Sequence, residues 1–474
     1  MGRISANLLR LFLPSVALLG GCATYQPQPL SAPDAETAFE RRTLDDPALR
    51  QFVSRHGAPE LATNRPPAAW DLRRLTLAAF FQHADIEVAR AKLAAAEAGL
   101  VTAGARPNPT IGFNPTFDTN PVNGVSPWTL GFTLDLPIET AGKRGYRVAQ
   151  RQHIANSARL NFASALWQVR SRVRKSLAEL EGATTAQEIL ARQQAGQNQM
   201  VDLLEARWKA GESSFTDVQF VRVAAAQTAL DLDEAKKQTA QARIRLADAL
   251  GVSDAAIANT AWSFSDLDWL PPVNEAGAAR REALLNRPDV LGALADYDAS
   301  QSALQLEIAK QYPDVHLGPG YAWDQGENKF TLGVSLTLPV FDRNRGPIAE
   351  AEAHRREAAA AFNALQAHAI GEVELAFAGY RDALRKLSTA DGLLSRQRER
   401  LKSMQESLAA GATDRLELLQ AQAELGLGER VRAGAFSEAQ LALGVLEDAM
   451  QRPADPHGAV PIPVSLLNQN DTTP

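Results

Sequence analysis

Cys22 is the only thiol in the chain, so neither an intramolecular disulfide framework nor a cysteine-cluster metal site is possible. Its surroundings assign it another chemistry. Arg3 and Arg10 flank the start of an apolar run, Leu11 to Leu19, which ends in Leu19-Gly20-Gly21-Cys22. Such a run is too short to cross a bilayer as a helix, and the small residues before Cys22 resemble a lipobox, where lipoprotein signal peptidase cleaves on the N-terminal side of an acylated cysteine. Residues 1–21 therefore read as a lipoprotein signal peptide and Cys22 as the lipidation site. Ala23, in place of Asp, directs the product to the outer membrane. The alternative is a buried cysteine beside an uncleaved anchor.

No other reactive constellation emerges. Gly142-Lys143-Arg144 imitates a phosphate loop, but a Walker A motif needs glycine where Pro137 stands and Ser or Thr where Arg144 stands. It reads better as a basic strand-to-helix turn. The seven histidines are scattered without an HExxH, and there are only four methionines, so no resident metal or cofactor is expected. His316 reads as a solvated wall residue rather than a ligand. A formal net charge of -6 does not suit a partner for nucleic acid, which requires phosphates to be neutralised. The function classes left are those that need shape and surface rather than catalysis.

The elements carrying these residues are written twice. Thr129-Leu-Gly-Phe-Thr-Leu-Asp-Leu-Pro-Ile138 matches Thr331-Leu-Gly-Val-Ser-Leu-Thr-Leu-Pro-Val340 at an offset of 331 − 129 = 202. Asp85 and Pro109 match Asp289 and Pro313 at 289 − 85 = 204, and Gly211 matches Gly411 at 411 − 211 = 200. Each copy predicts a helix (Leu77 to Gly104; Arg280 to Lys310), then a hairpin within 109–137 or 313–339. A very long helix follows (Tyr146 to Ala210; Pro347 to Ala410), and then a shorter one (Ser213 to Leu250; Thr413 to Met450). At 1.5 Å per residue the long helices span roughly 100 Å, and Leu166, Val169, Val173, Leu177 and Leu180 step by three and four along a pairing seam.

In the hairpins Leu130, Phe132, Leu134 and Leu136 alternate with Thr129, Gly131, Thr133 and Asp135, and the second copy alternates likewise. Such strands, greasy on one face and wet on the other, suit a membrane barrel. An ordinary half-buried soluble hairpin is the plainer reading. Phe117, Trp128, Tyr321, Trp323 and Phe330 sit towards the hairpin-loop ends, where an interfacial girdle lies. Four strands cannot close a lipid-facing barrel, for which about eight is the minimum, so the chain must self-associate.

Residues 71–251 and 280–450 are thus the two repeats, joined by a connecting segment, 252–279. Residues 22–70, rich in proline, read as an extended, lipid-anchored lead-in, and 451–474 as a flexible tail. Between the helices of each repeat stand Ala210-Gly211-Glu-Ser-Ser-Phe-Thr-Asp217 and Ala410-Gly411-Ala-Thr-Asp-Arg-Leu-Glu417. There glycine ends one helix while Ser213, Ser214, Thr413 or Asp414 caps the next.

From about Leu77 to Met450 the chain resembles the TolC-like outer-membrane efflux family. That resemblance implies a trimeric α/β-barrel channel: mainly α, with a twelve-stranded membrane β-barrel and a periplasmic helical tunnel. Leu136-Pro-Ile-Glu-Thr-Ala-Gly-Lys-Arg144 and Leu338-Pro-Val-Phe-Asp-Arg-Asn-Arg-Gly346 are similar to the branch serving pumps of the cobalt-zinc-cadmium type. It further implies a passive duct coupled to an inner-membrane pump through a periplasmic adaptor. Gly211, Ser214, Gly411 and Asp414 would form the adaptor-docking tip, and Asp217, Arg415, Glu417 and Gln420 the periplasmic gate. Family members carry acidic residues at both the Glu417 and Gln420 positions and often an arginine at the Thr413 position. The constriction should therefore be less acidic here, and without that arginine the closing contact would need Arg415 or another group in its place. A duct for drugs or other organic compounds remains an alternative, as does a coiled-coil structural lipoprotein; an outer-membrane enzyme lacks a candidate nucleophile.

Overall fold

A computed structural model describes residues 23–56, 69–121, 124–272, 281 and 285–454. Cys22, the signal-peptide reading and most of the tail lie outside the described residues. Two compact units are distinguished, Met1–Arg42 and Thr43–Pro474.

The described part of the first unit contains helix α1 (Ala32–Glu40), started by Ser31 and by a proline in its first turn, with no buried side chain. The second unit begins with α2 (Pro47–His56), which buries Leu49 and Val53. These helices correct the expectation of an extended lead-in. The prolines that forbid a long helix serve here as helix starters, because proline at the first turn loses no hydrogen bond.

Two helices replace the single one expected at Leu77 to Gly104: α3 (Leu72–Gln82) and α4 (Ala84–Gly104). The chain breaks at His83, whose backbone is extended and whose Nδ1 accepts the Asp85 N–H at 3.1 Å. Gly251 packs against this break with φ +75°, and a Cβ there would lie 3.0 Å from the His83 Cα.

Strands β1 (Thr110–Phe117) and β2 (Trp128–Ile138) lead to α5 (Lys143–Lys209, 67 residues) and α6 (Phe215–Leu250). After the short α7 (Asp254–Ile257) and a parallel bridge between Trp70 and Trp262, the order repeats. It runs α8 (Pro288–Ala309), β3 (Val315–Asp324), β4 (Glu327–Leu336), α9 (Arg345–Ala409, 65 residues) and α10 (Arg415–Met450). Both long helices begin on left-handed residues, Gly142 and Asn344, a turn or less before the sequence reading placed them. The largest core packs Leu75, Leu77, Phe80, Ile86 and Leu93 against the stripe Phe162, Leu166, Val169, Val173 and Leu177 of α5. Their three- and four-residue spacing is the one that keeps a helix face turned inward.

The four strands form one antiparallel sheet in the order β1-β2-β3-β4. Register places Phe113, Phe132, Tyr321 and Phe330 in one row across it. Gly112, Thr133, Gly320 and Thr331 form the neighbouring row, which points to the other face because strand side chains alternate. Among the described residues nothing covers the apolar face, with Phe330 81% and Leu332 73% exposed. β1 and β4 are the sheet's edges, each lacking a partner strand on one side among the described residues.

Candidate functional site: a polar sheet face and a helical tip

The polar face of the sheet ends in an ion-paired collar where strands become helices. Lys143 Nζ meets Asp314 Oδ1 at 2.7 Å, and Arg147 clasps Glu139 at 2.6 and 3.1 Å. The Thr140 N–H donates to the same Asp314 carboxylate at 2.9 Å. Lys143 is buried and Arg144 Nε donates to the Gly104 carbonyl, so the basic turn braces the junction of strand and helix. Higher on that face the His316 ring lies 3.1 Å from both oxygens of Asp135. This pair stands on neighbouring strands and is partly exposed. Among the described residues, no group of three or more His, Cys, Asp or Glu is arranged to hold a metal ion. No helix among them is long and apolar enough to cross a membrane.

At the other end of α5 and α9 the two turns are built alike. Gly211 (φ +78°) and Gly411 (φ +71°) are left-handed. Glu212 N–H returns to the Arg207 carbonyl at 2.8 Å, and Ala412 N–H to that of Ser407 at 2.9 Å. This closes the orphan carbonyls of each long helix. Ser214 and Asp217 form a reciprocal capping box: Asp217 N–H donates to Ser214 Oγ at 3.1 Å, while the Ser214 N–H and hydroxyl donate to the Asp217 carboxylate at 3.1 and 2.7 Å. The Ser214 hydroxyl above all holds the Asp217 carboxyl below its ordinary range. In the second turn Asp414 caps α10 by accepting the Glu417 N–H at 3.0 Å, and the Thr413 hydroxyl donates to the Glu417 carboxylate. Glu417, Gln420 and Arg415 are exposed.

Sequence reasoning missed the basic partner of Asp414, which is Arg207, from the end of α5, at 3.0 Å. This bond ties the first repeat's long helix to the second repeat's turn. The Glu417 backbone N–H first, and Arg207 with it, keeps the Asp414 carboxyl below its ordinary range. Beneath the turns Met200, Leu204, Val218, Val221 and Leu419 form a small apolar plug. Lateral pairs continue upward, with Arg192 to Glu429 at 3.2 Å and Arg430 to Asp231 at 3.1 Å.

A second feature missed in the sequence is a buried charge cluster. Arg170 and Arg174 on α5 meet Glu447 on α10 at 3.0 and 3.1 Å, all three about 5% exposed. Asp448 beside them accepts from Trp167 and Ser171, and burial pushes its carboxyl above the ordinary range. The signal was present: two arginines four apart stand on the same stripe as Leu166, Val173 and Leu177, where only a paired charge is tolerable.

Comparison with known proteins agrees with this geometry. The family described as outer membrane efflux protein matches residues 78–252 and 279–435. The chain is 28% identical over 271 residues to the cobalt-zinc-cadmium resistance protein CzcC of Cupriavidus metallidurans, covering 55% of this chain and 61% of that protein. It is 25% identical over 365 residues to the pyoverdine export outer membrane protein OpmQ of Pseudomonas aeruginosa, covering 72% and 74%. The crystal structure of the outer membrane protein VceC from Vibrio cholerae superposes with a TM-score of 0.65 at 20% identity, over 81% of this chain and 97% of that one. With the family model covering most of both repeats, the chain belongs to the outer membrane efflux protein family, whose members are transport ducts.

Proposed function

We propose that three copies assemble into the outer-membrane exit duct of a tripartite efflux system. The copies close one twelve-stranded barrel, and the turns meet a periplasmic adaptor that links the duct to an inner-membrane pump. The observation carrying this reading is the sheet: among the described residues one face is apolar and uncovered, the other polar, and both edges lack partners. In lipid every backbone group must be paired, so such a sheet is viable only inside a closed ring. Cys22 is the acyl anchor, and residues 1–21 are the signal peptide cleaved from its N-terminal side.

In this reading Glu417, Gln420 and Asp414 surround the narrow end, and Arg207 replaces Arg415 as the group that holds it. Asp217, engaged by Ser214, shapes its turn rather than lining the passage. Heavy-metal cations are the proposed cargo, since the resemblance to a cobalt-zinc-cadmium resistance protein joins an acidic entrance that attracts cations. A second reading, export of organic compounds, is favoured by the likeness to a pyoverdine exporter. Complementation distinguishes them. Expressed with a metal pump and its adaptor in a strain lacking the native duct, the chain should restore growth on cobalt, zinc or cadmium. Restored tolerance to organic toxicants with no gain on metals would favour the second cargo.

A further inference from the structure

β2 runs to Ile138, yet its repeat counterpart β4 stops at Leu336. At the repeat offset of 340 − 138 = 202, Ile138 corresponds to Val340, which leaves β4 short by 340 − 336 = 4 residues. Local sequence does not explain the difference, because Leu136-Pro-Ile138 recurs as Leu338-Pro-Val340. The neighbour does. The end of β2 pairs with β3, with Leu136 opposite Leu317, Pro137 opposite His316 and Ile138 opposite Val315. β4 is an edge, and beyond it Leu338 and Val340 are about two-thirds exposed and Phe341 is fully exposed.

The two hairpins share one register. Ile111 opposite Leu134 in the first corresponds to Val315 opposite Leu336 in the second, by shifts of 315 − 111 = 204 and 336 − 134 = 202. The same shifts carry the β2–β3 pairing onto β4 and a β1 strand from another copy. On this basis, which rests on the reading of the chain as a self-assembling duct, we propose the register of the subunit seam. β4 pairs antiparallel with β1 of a second copy, with Leu338 opposite the partner's Phe113 and Val340 opposite the partner's Ile111. Ser335 then stands opposite the partner's Thr116, and Thr337 to Phe341 become strand only on assembly.

The chemistry agrees along the seam. Apolar residues meet on the outer face and small polar ones, Ser335 with Thr116, on the inner. Pro339, opposite Gly112, occupies the place in which Pro137 is already accepted opposite His316. A slip of one residue would turn every apolar side chain to the wet face. A slip of two preserves the faces but displaces partners by about 7 Å along the strand, beyond the reach of a disulfide.

Cysteine pairs in the full-length chain test this. Ser335→Cys with Thr116→Cys should give covalent oligomers on oxidation, as should Thr337→Cys with Asn114→Cys. Ser335→Cys with Asn114→Cys or Asp118→Cys should stay largely uncross-linked, and single variants control for Cys22. Hydrogen exchange on the unsubstituted chain should find the alternate amides of Thr337 to Phe341 that face the partner strand more protected in assembled particles than in dispersed chains. Preferential cross-linking of a slipped pair in oligomeric protein, or exchange at Thr337 to Phe341 that ignores assembly, would overturn the register and leave the duct standing. Monomers with no cross-link at any pair would overturn both.

Discussion

Replacing Asp414 by Asn should loosen the tip without unwinding it. Asparagine caps a helix about as well as aspartate, so the bond from Glu417 N–H at 3.0 Å survives, while the charge facing Arg207 at 3.0 Å is lost. The Arg207 and Asp414 side chains are 27% and 47% exposed, which puts the pair in the class of partly screened surface bridges worth about 0.2–1 kcal/mol. Three copies around one passage make about 0.6–3 kcal/mol, or roughly a 3- to 150-fold shift in the opening equilibrium. In planar bilayers, open probability at neutral pH should rise by a factor in that range. Arg207→Gln should do the same, and the double variant should add nothing further, because both substitutions remove one bond. Additive effects of the two substitutions, or none from either, would refute the assignment of this pair as the latch. The sign with pH follows: the Asp414 carboxyl is held below its ordinary range, so the latch is complete above its unfolded value and fails as pH falls through the lowered one.

Three further outcomes are expected. Glu447→Gln removes the charge that compensates the buried Arg170 and Arg174 and should cost about 3–5 kcal/mol, read as faster thermal inactivation; an unchanged half-life contradicts the pairing. Burial and the neighbouring Asp268 push the Glu181 carboxyl up to about 7. The folded chain therefore holds a proton that the unfolded one releases near its ordinary value, so stability should fall as pH rises from about 4.5 to 7, and Glu181→Gln should remove that part of the slope in melting curves. Cys22→Ser should abolish palmitate labelling and weaken membrane retention while leaving channel activity; full labelling in the variant would exclude Cys22 as the anchor.

Much of this was legible in the sequence because period and duplication are local signals. The alternation around Phe132 and the glycines at 211 and 411 need nothing beyond their neighbours to declare strand faces and helix ends. What escaped depends on residues far apart in the chain. Arg207 and Asp414 meet across the repeats, and neither side chain is unusual in its own segment. The repeats have also diverged in their charges. Asp85 binds Arg172 at 2.6 Å, but the residue 372 − 172 = 200 positions on is Glu372, and Arg287 bridges it to Asp289 at 2.7 Å. Duplicated positions thus conserve backbone and apolar packing while exchanging ionic partners. The break at His83 was hidden by good helix formers on both sides, since it is the backbone of Gly251 that fills the corner.

Single-channel recording of purified, full-length protein, with the particle mass taken from the same sample, probes the duct assignment most directly. A duct gives stepwise, cation-preferring conductance from particles of three chains, with Glu417→Gln lowering that preference and weakening block by multivalent cations. Monomeric particles, or trimers that leave the bilayer electrically silent in wild type and in Asp414→Asn alike, would contradict it.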